Sequence, residues 1–138
     1  MKSTGVYEPE TVSAAREAYD SVGPTAQIVV KETAKAMEFD SEEYASRVTG
    51  DVVETARDAL FASLLTTYHG SRETFEEWCV ENPAYETELL GSDAVESVVW
   101  HPVSFAETVV AASYQAEPEA AAATVRRRAF GRYYRPEL

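Results

Sequence analysis

Val95-Glu96-Ser97-Val98-Val99-Trp100-His101 is the one stretch of the chain that resists a helical reading. Its β-branched and aromatic side chains favour extended backbone. Extended backbone needs partners for its N–H and C=O groups, and no neighbouring run reads as a second strand. The segment is therefore expected as an extended connector over a helical core, with pairing to its copy in a dimer as the alternative. The expected fold class is all-α. Residues 1–138 should form a single-domain bundle of six or seven helices, with residues 1–8 as a flexible N-terminal tail.

Proline placement supports that parse, because the first helical position tolerates the missing N–H. Pro9 would open a helix to Val22, Pro24 one to Met37, Pro83 one to Leu90, Pro102 one to Ala116 and Pro118 the last, which must end by Pro136. Asp40-Ser41-Glu42-Glu43 resembles a capping box, and Ser71 is placed to cap a helix through Glu81. Asp51 precedes a long apolar-rich run to Tyr68. On it Val53, Ala56, Leu60 and Leu64 share a face that Val52, Phe61 and Leu65 widen, so this helix is expected at the centre of the core. Narrower stripes, Ala26-Val30-Ala34-Met37 and Phe105-Val109-Ala112-Ala116, suit helices with one buried face.

With 45% hydrophobic residues and 26% charged ones, the 138-residue chain is globular rather than disordered. One cysteine, Cys79, excludes an intramolecular disulfide and suits a reducing compartment. No apolar run follows Lys2, and the longest one, Ala59 to Leu65, is far short of the roughly 20 residues that span a bilayer. A cytoplasmic protein with no membrane association is expected. Twelve basic residues against 24 acidic ones leave a net charge of −12. At about 1 M salt the Debye length falls to about 3 Å and repulsion among surface carboxylates becomes minor, so this balance suits a salt-rich cell.

Several stretches carry a family likeness. Ala26 to Met37 followed by Glu38-Phe39-Asp40, then Val48 to Leu65, Leu90-Gly91-Ser92-Asp93, Val98-Val99-Trp100-His101 and Ala129-Phe130-Gly131-Arg132 together resemble a small haloarchaeal family filed as a domain of unknown function. The resemblance implies an archaeal, halophilic protein in a cytoplasm of multimolar potassium salt. It brings no catalytic residue with it.

No catalytic, cofactor-binding or metal-binding residue is expected. His69, Cys79 and His101 lack the Glu-x-x-His, His-Glu-x-x-His or Cys-x-x-Cys spacing of metal sites. His101 is read as a cap before Pro102, and His69 as a helix-end residue beside Gly70. No Gly-rich loop ends in Lys and Ser or Thr, and Gly70-Ser71-Arg72 is no nucleophile elbow. Cys79 reads as a small packing residue, Glu54 and Asp58 as a solvated flank, and Trp78 and Trp100 as core.

The C-terminal segment is the exception to the acidic character. Residues 117–138 hold five Arg and three Glu, whereas residues 1–116 hold seven basic and 21 acidic residues. On a continuous helix Ala122, Val125, Ala129 and Tyr133 form the buried face, with Arg126 at its edge. Arg128, Arg132 and Arg135 then align as a stripe with Tyr134 beside it, provided Gly131 does not break the helix. These four are the candidate partner-binding residues. Five phosphate contacts would lose roughly 10⁵ in affinity between low and multimolar salt, so a protein partner or self-association is favoured over nucleic acid. The expected function is a non-enzymatic protein interaction or regulatory module adapted to high salt. The alternative is a nucleic-acid-associated protein using the Arg/Tyr-rich C-terminal helix.

Overall fold

A computed structural model describes all 138 residues. It replaces the all-α bundle with a mixed α/β fold. Five strands, β1 (Lys2–Thr4), β2 (Thr67–Ser71), β3 (Glu86–Leu90), β4 (Ser97–Val103) and β5 (Thr108–Tyr114), form one sheet in the order β1-β2-β4-β5-β3. Neighbours are antiparallel except β3 and β5, which are parallel. The helices are α1 (Val12–Ser21), α2 (Gly23–Ala36), α3 (Ser41–Arg47), α4 (Gly50–Ser63), α5 (Arg72–Glu81) and α6 (Pro118–Ala129).

The stretch from Val95 to His101 is the centre of the fold rather than a connector. From Ser97 it runs as β4, with β2 along one side and β5 along the other, so its backbone groups find partners within the same chain. Val98, Val99, Trp100, His101, Pro102 and Val103 are all buried. Val99 and Val103 face the core under α6, α1 and α4, while Val98 and Trp100 face a second core that includes Phe75 of α5. A strand covered on both faces has no reason to alternate polar with apolar residues.

The same double burial disguised β5. Val110 and Ala112 point to the α6 side and Val109 and Ala111 to the α5 side, so the 105–109–112–116 spacing that reads as a helical stripe is a coincidence of a fully buried strand. The helix expected from Pro102 to Ala116 is instead a hairpin, turned by a 3₁₀ segment at Ser104–Ala106 and by Glu107 in the left-handed region at φ 47°. Pro102 pairs only with Val109 of β5, beyond the point where β2 stops at Trp100. A strand position with a single neighbour tolerates proline.

Two other helical expectations fail for related reasons. The run from Asp51 ends as helix at Ser63, and Thr67–Ser71 is β2. Pro83 lies in a turn after α5, followed by edge strand β3 over residues once read as helix. The tail expected over residues 1–8 carries β1, paired as Lys2 with His69 and Thr4 with Thr67. Tyr7 then bridges to Leu65, and Gly5 at φ 111° allows the approach: a Cβ there would lie 2.6 Å from the Leu65 carbonyl oxygen.

Two caps expected from the sequence, Asp40 and Ser71, are present, whereas α1 opens at Val12 under Thr11 rather than at Pro9, and α4 at Gly50 under Thr49 rather than after Asp51. Thr11, Asp40, Thr49 and Ser71 each accept a hydrogen bond from the backbone N–H three residues on. Phe61 is the aromatic hub of the larger core, fully buried among the rings of Tyr7, Tyr19, Phe130 and Tyr134 at 5.6–5.9 Å between centroids. It is the only fully buried residue of α4, so the expected central helix is one wall of a core centred on β4 and β5.

Candidate docking surface

The C-terminal segment is fastened to the body through Arg126, Arg128, Arg132, Tyr133, Tyr134 and Arg135. After Ala129 the helix widens into a π turn over Phe130–Tyr134 and closes in a 3₁₀ turn at Arg135–Glu137. The wider turn splits the expected stripe. Arg128 and Arg132 stay together, with Nη1 atoms 2.7 and 3.3 Å from Glu88 Oε1 on β3, and the Tyr133 hydroxyl donates to Glu88 Oε2 at 2.8 Å. Arg135 turns to the other side, 3.4 Å from Asp58 of α4 and with its guanidinium over the Phe130 ring. Tyr134 is fully buried and is therefore not part of the surface. Of the four candidates, the structure brings together only Arg128 and Arg132, on a carboxylate of the same chain.

Tyr134 is held by His101, which is a buried strand residue and not a cap. His101 Nδ1 lies 2.6 Å from the Thr66 carbonyl oxygen and Nε2 lies 2.7 Å from the Tyr134 hydroxyl. Because a carbonyl only accepts, Nδ1 carries the proton and the tyrosine hydroxyl donates to Nε2. Burial, helped by the nearby Arg126 charge and opposed by the Thr66 hydrogen bond, pushes the imidazole down to about 4, so it is neutral at physiological pH. Burial also raises the Tyr134 hydroxyl above its ordinary value. Both side chains are fully buried, and the chemistry of the pair is that of an internal fastener.

The flank formed by α2 and α3 is less well covered. α2 packs on α4 and α1 but not on the sheet, and it buries only Ala26, Val30 and Ala34. α3 buries nothing. Five of the nine large apolar side chains left exposed lie here: Ile28, Val29, Met37, Tyr44 and Val52. That concentration decides where an apolar partner would be received. Between α2 and α4 runs an apolar groove of about 370 Å³, flanked by Val29, Thr33 and Met37 and by Val52 and Ala56. Phe39, Val48 and Arg47 close its end.

The sequence reading placed Met37 on the buried stripe of α2, yet it is 59% exposed. The signal it missed is the second stripe on that helix, Val29-Thr33-Met37 at i, i+4 and i+8, which widens the apolar face beyond what α4 and α1 can cover. Val52, expected to extend the core face of α4, is likewise exposed.

The remaining candidates are dispersed. His69 lies in β2, Cys79 on α5 within hydrogen-bonding range of Thr87, and His101 in β4; no three His, Cys, Asp or Glu residues are gathered as metal ligands. Trp100 is fully buried, and Trp78 packs edge-on against Tyr85 beside the same second core. Asp58 is no solvated flank, since it accepts from the Tyr19 hydroxyl at 2.6 Å and from Arg135. Burial and that carboxylate push the Tyr19 hydroxyl up to about 12. No helix is long and apolar enough to cross a membrane.

No curated protein and no solved structure matches the chain. A family model matches residues 6–135, almost the whole length, and the chain belongs to that family of unknown function (DUF5809).

Proposed function

We propose that the protein is a non-enzymatic interaction module that receives an amphipathic helix of a partner in the α2/α4 groove. The observation that supports this most is the clustering of Val29, Met37 and Val52 around an apolar groove on a chain of net charge −12. Large exposed apolar side chains in a contiguous patch mark interaction sites, and a groove between two helices fits the apolar face of a third. Charge selects the occupant. Glu38 and Asp51 are exposed and adjoin the lining residues Met37 and Val52 in sequence, Arg47 is the one charged side chain of the lining, and the chain as a whole, at −12, repels acidic partners, so the fitting helix carries Lys or Arg on its flanks.

The proposal gives the Arg128-Arg132-Arg135 stripe a fastening role, because each of these cations is already within salt-bridge distance of a carboxylate in its own chain. A nucleic-acid phosphate would have to displace Glu88 or Asp58. The same reading places the protein in a salt-rich cytoplasm, supported by the −12 charge, where apolar burial still supplies affinity after surface charge is screened.

A labelled model helix with a Leu face and Lys flanks, titrated by fluorescence anisotropy against the same helix with Glu flanks, tests this. Saturable binding of the Lys-flanked helix, lost in the double variant Met37→Glu and Val52→Glu, is the expected result. Equal binding of both helices, or binding unchanged in the double variant, would sink the groove as the docking site.

A further inference from the structure

A second cleft lies on the α6-covered face of the sheet, between β1, β2 and α6. It encloses about 280 Å³ and is lined by Lys2, Thr4, His69, Tyr114, Glu119 and Arg126 among others. The strand register explains how it forms: Lys2 pairs with His69 and Thr4 with Thr67, so these side chains stand on one face of the sheet, towards α6. Arg126 reaches down from α6 into that face. Its Nε donates to the Leu65 carbonyl oxygen at 2.7 Å, and its Nη2 reaches Thr4 and Thr67 Oγ1 at 3.2 and 3.4 Å.

Two features set this cleft apart from the rest of an acidic surface. Lys2, His69 and Arg126 converge on it from three different elements, and none of them is within salt-bridge distance of a carboxylate, so their charge is not neutralised within the chain. Each also has donor capacity to spare. Arg126 Nη1 and the Lys2 ammonium make no hydrogen bond to the protein. Thr4 and Thr67 Oγ1 are 3.0 Å apart and His69 Nε2 is 3.2 Å from Thr67 Oγ1, and in the arrangement in which Thr4 donates to Thr67 and Thr67 to Nε2, His69 carries its proton on Nδ1, free to donate into the cleft. Burial, then Arg126 and Lys2, lower the His69 imidazole below its ordinary value, which marks the local field as positive.

We propose that this cleft binds a phosphate group, free or as a small monoester, through Lys2, His69 Nδ1 and Arg126 Nη1. A tetrahedral anion with several acceptor oxygens suits separated donors better than a planar carboxylate does. Glu119, exposed at the mouth, is the one carboxylate among the lining residues and disfavours larger polyanions. The hydroxyls of Thr4 and Thr67 hold Arg126 in place, so the charge is pre-positioned before the ligand arrives.

The experiment is an NMR titration of the full chain at low ionic strength, following the His69 ring and Tyr114 signals. The arms are inorganic phosphate, glycerol phosphate, acetate and chloride, all at matched ionic strength. Saturable shifts with either phosphate species and none with acetate or chloride are expected, and a tighter fit for glycerol phosphate would identify the monoester as the ligand. Lys2→Gln should weaken binding about tenfold, and because Lys2 is exposed and makes no side-chain hydrogen bond, that variant keeps its fold. His69→Gln supplies a second variant, read through Tyr114. No saturable shift up to about 50 mM phosphate, equal shifts with every anion, or affinity unchanged in both variants would overturn the proposal.

Discussion

β4 and α2 both carry β-branched apolar residues and put them to opposite uses. In β4 every residue from Val98 to Val103 is buried, because β2 and β5 flank it and helices cover both faces. In α2 the buried positions are Ala26, Val30 and Ala34, small side chains that bring α2 close to α4, while Ile28, Val29 and Met37 stay in water. The difference teaches where the stability of the fold lies and where an interaction can be accommodated without endangering it. Tyr134, Arg126, Arg128 and Arg132 belong with β4 in this division, since the basic C-terminal segment is part of what covers and fastens the sheet.

Substitutions should separate the two regions by size of effect. Phe61→Ala removes the ring on which four others converge and should lower unfolding free energy by about 3–5 kcal/mol in denaturant melts. Acidification should act on the same side of the molecule. His101 stays neutral in the folded chain down to about pH 4, whereas an unfolded histidine protonates near 6.5. Its contribution is present above pH 6.5 and is lost as pH falls through the window to 4, amounting to about 3 kcal/mol when complete. Comparing His101→Gln with the parent at pH 7 and 4.5 isolates this group, and an equal pH slope in both proteins would refute the assignment.

Tyr134→Phe leaves His101 Nε2 as a buried acceptor without its donor, and about 1–3 kcal/mol of destabilisation is expected. Glu88→Gln weakens two half-exposed ion pairs and the Tyr133 bond, with a loss of about 1 kcal/mol or less that shrinks as salt is added. Smallest of all, Val29→Ser and Met37→Ser should move stability by no more than about 0.5 kcal/mol, although both remove apolar atoms. If either proved as damaging as Tyr134→Phe, the α2 flank would belong to the core and the contrast would collapse.

Several helix starts were legible because capping is local chemistry. Ser71 and Asp40 act on backbone groups three residues away, and Pro24 and Pro118 sit in the first turns of α2 and α6. The sheet was not legible because its strands lack the alternation that identifies a half-exposed strand. β4 and β5 are buried on both faces, and β2 continues an apolar helical run with only Thr66 between Leu65 and Thr67. Proline misled for a similar reason. Pro102 and Pro24 look alike in sequence, and only the end of pairing at Trp100 reveals why a strand accepts Pro102, while Pro9 lies ahead of α1 altogether. Arg128, Arg132 and Arg135 read as one stripe on a continuous helix, and the π turn that sends Arg135 to Asp58 instead has no local signature beyond Gly131. What Arg128 and Arg132 face, Glu88, is forty or more residues away in sequence and comes near only once β3 is placed at the sheet edge.

The docking proposal stands on the α2/α4 side of the contrast, and hydrogen exchange of the backbone amides tests both sides in one experiment. In the free protein the amides of β4 and β5 should exchange slowest and those of α3 fastest, since α3 buries no side chain. Adding the Lys-flanked model helix should slow exchange across α2 and α4 and leave residues 124–135 unchanged. Protection that instead appears over Arg126 to Arg135, with α2 and α4 unaltered, would contradict the assignment and return the interaction to the basic C-terminal segment.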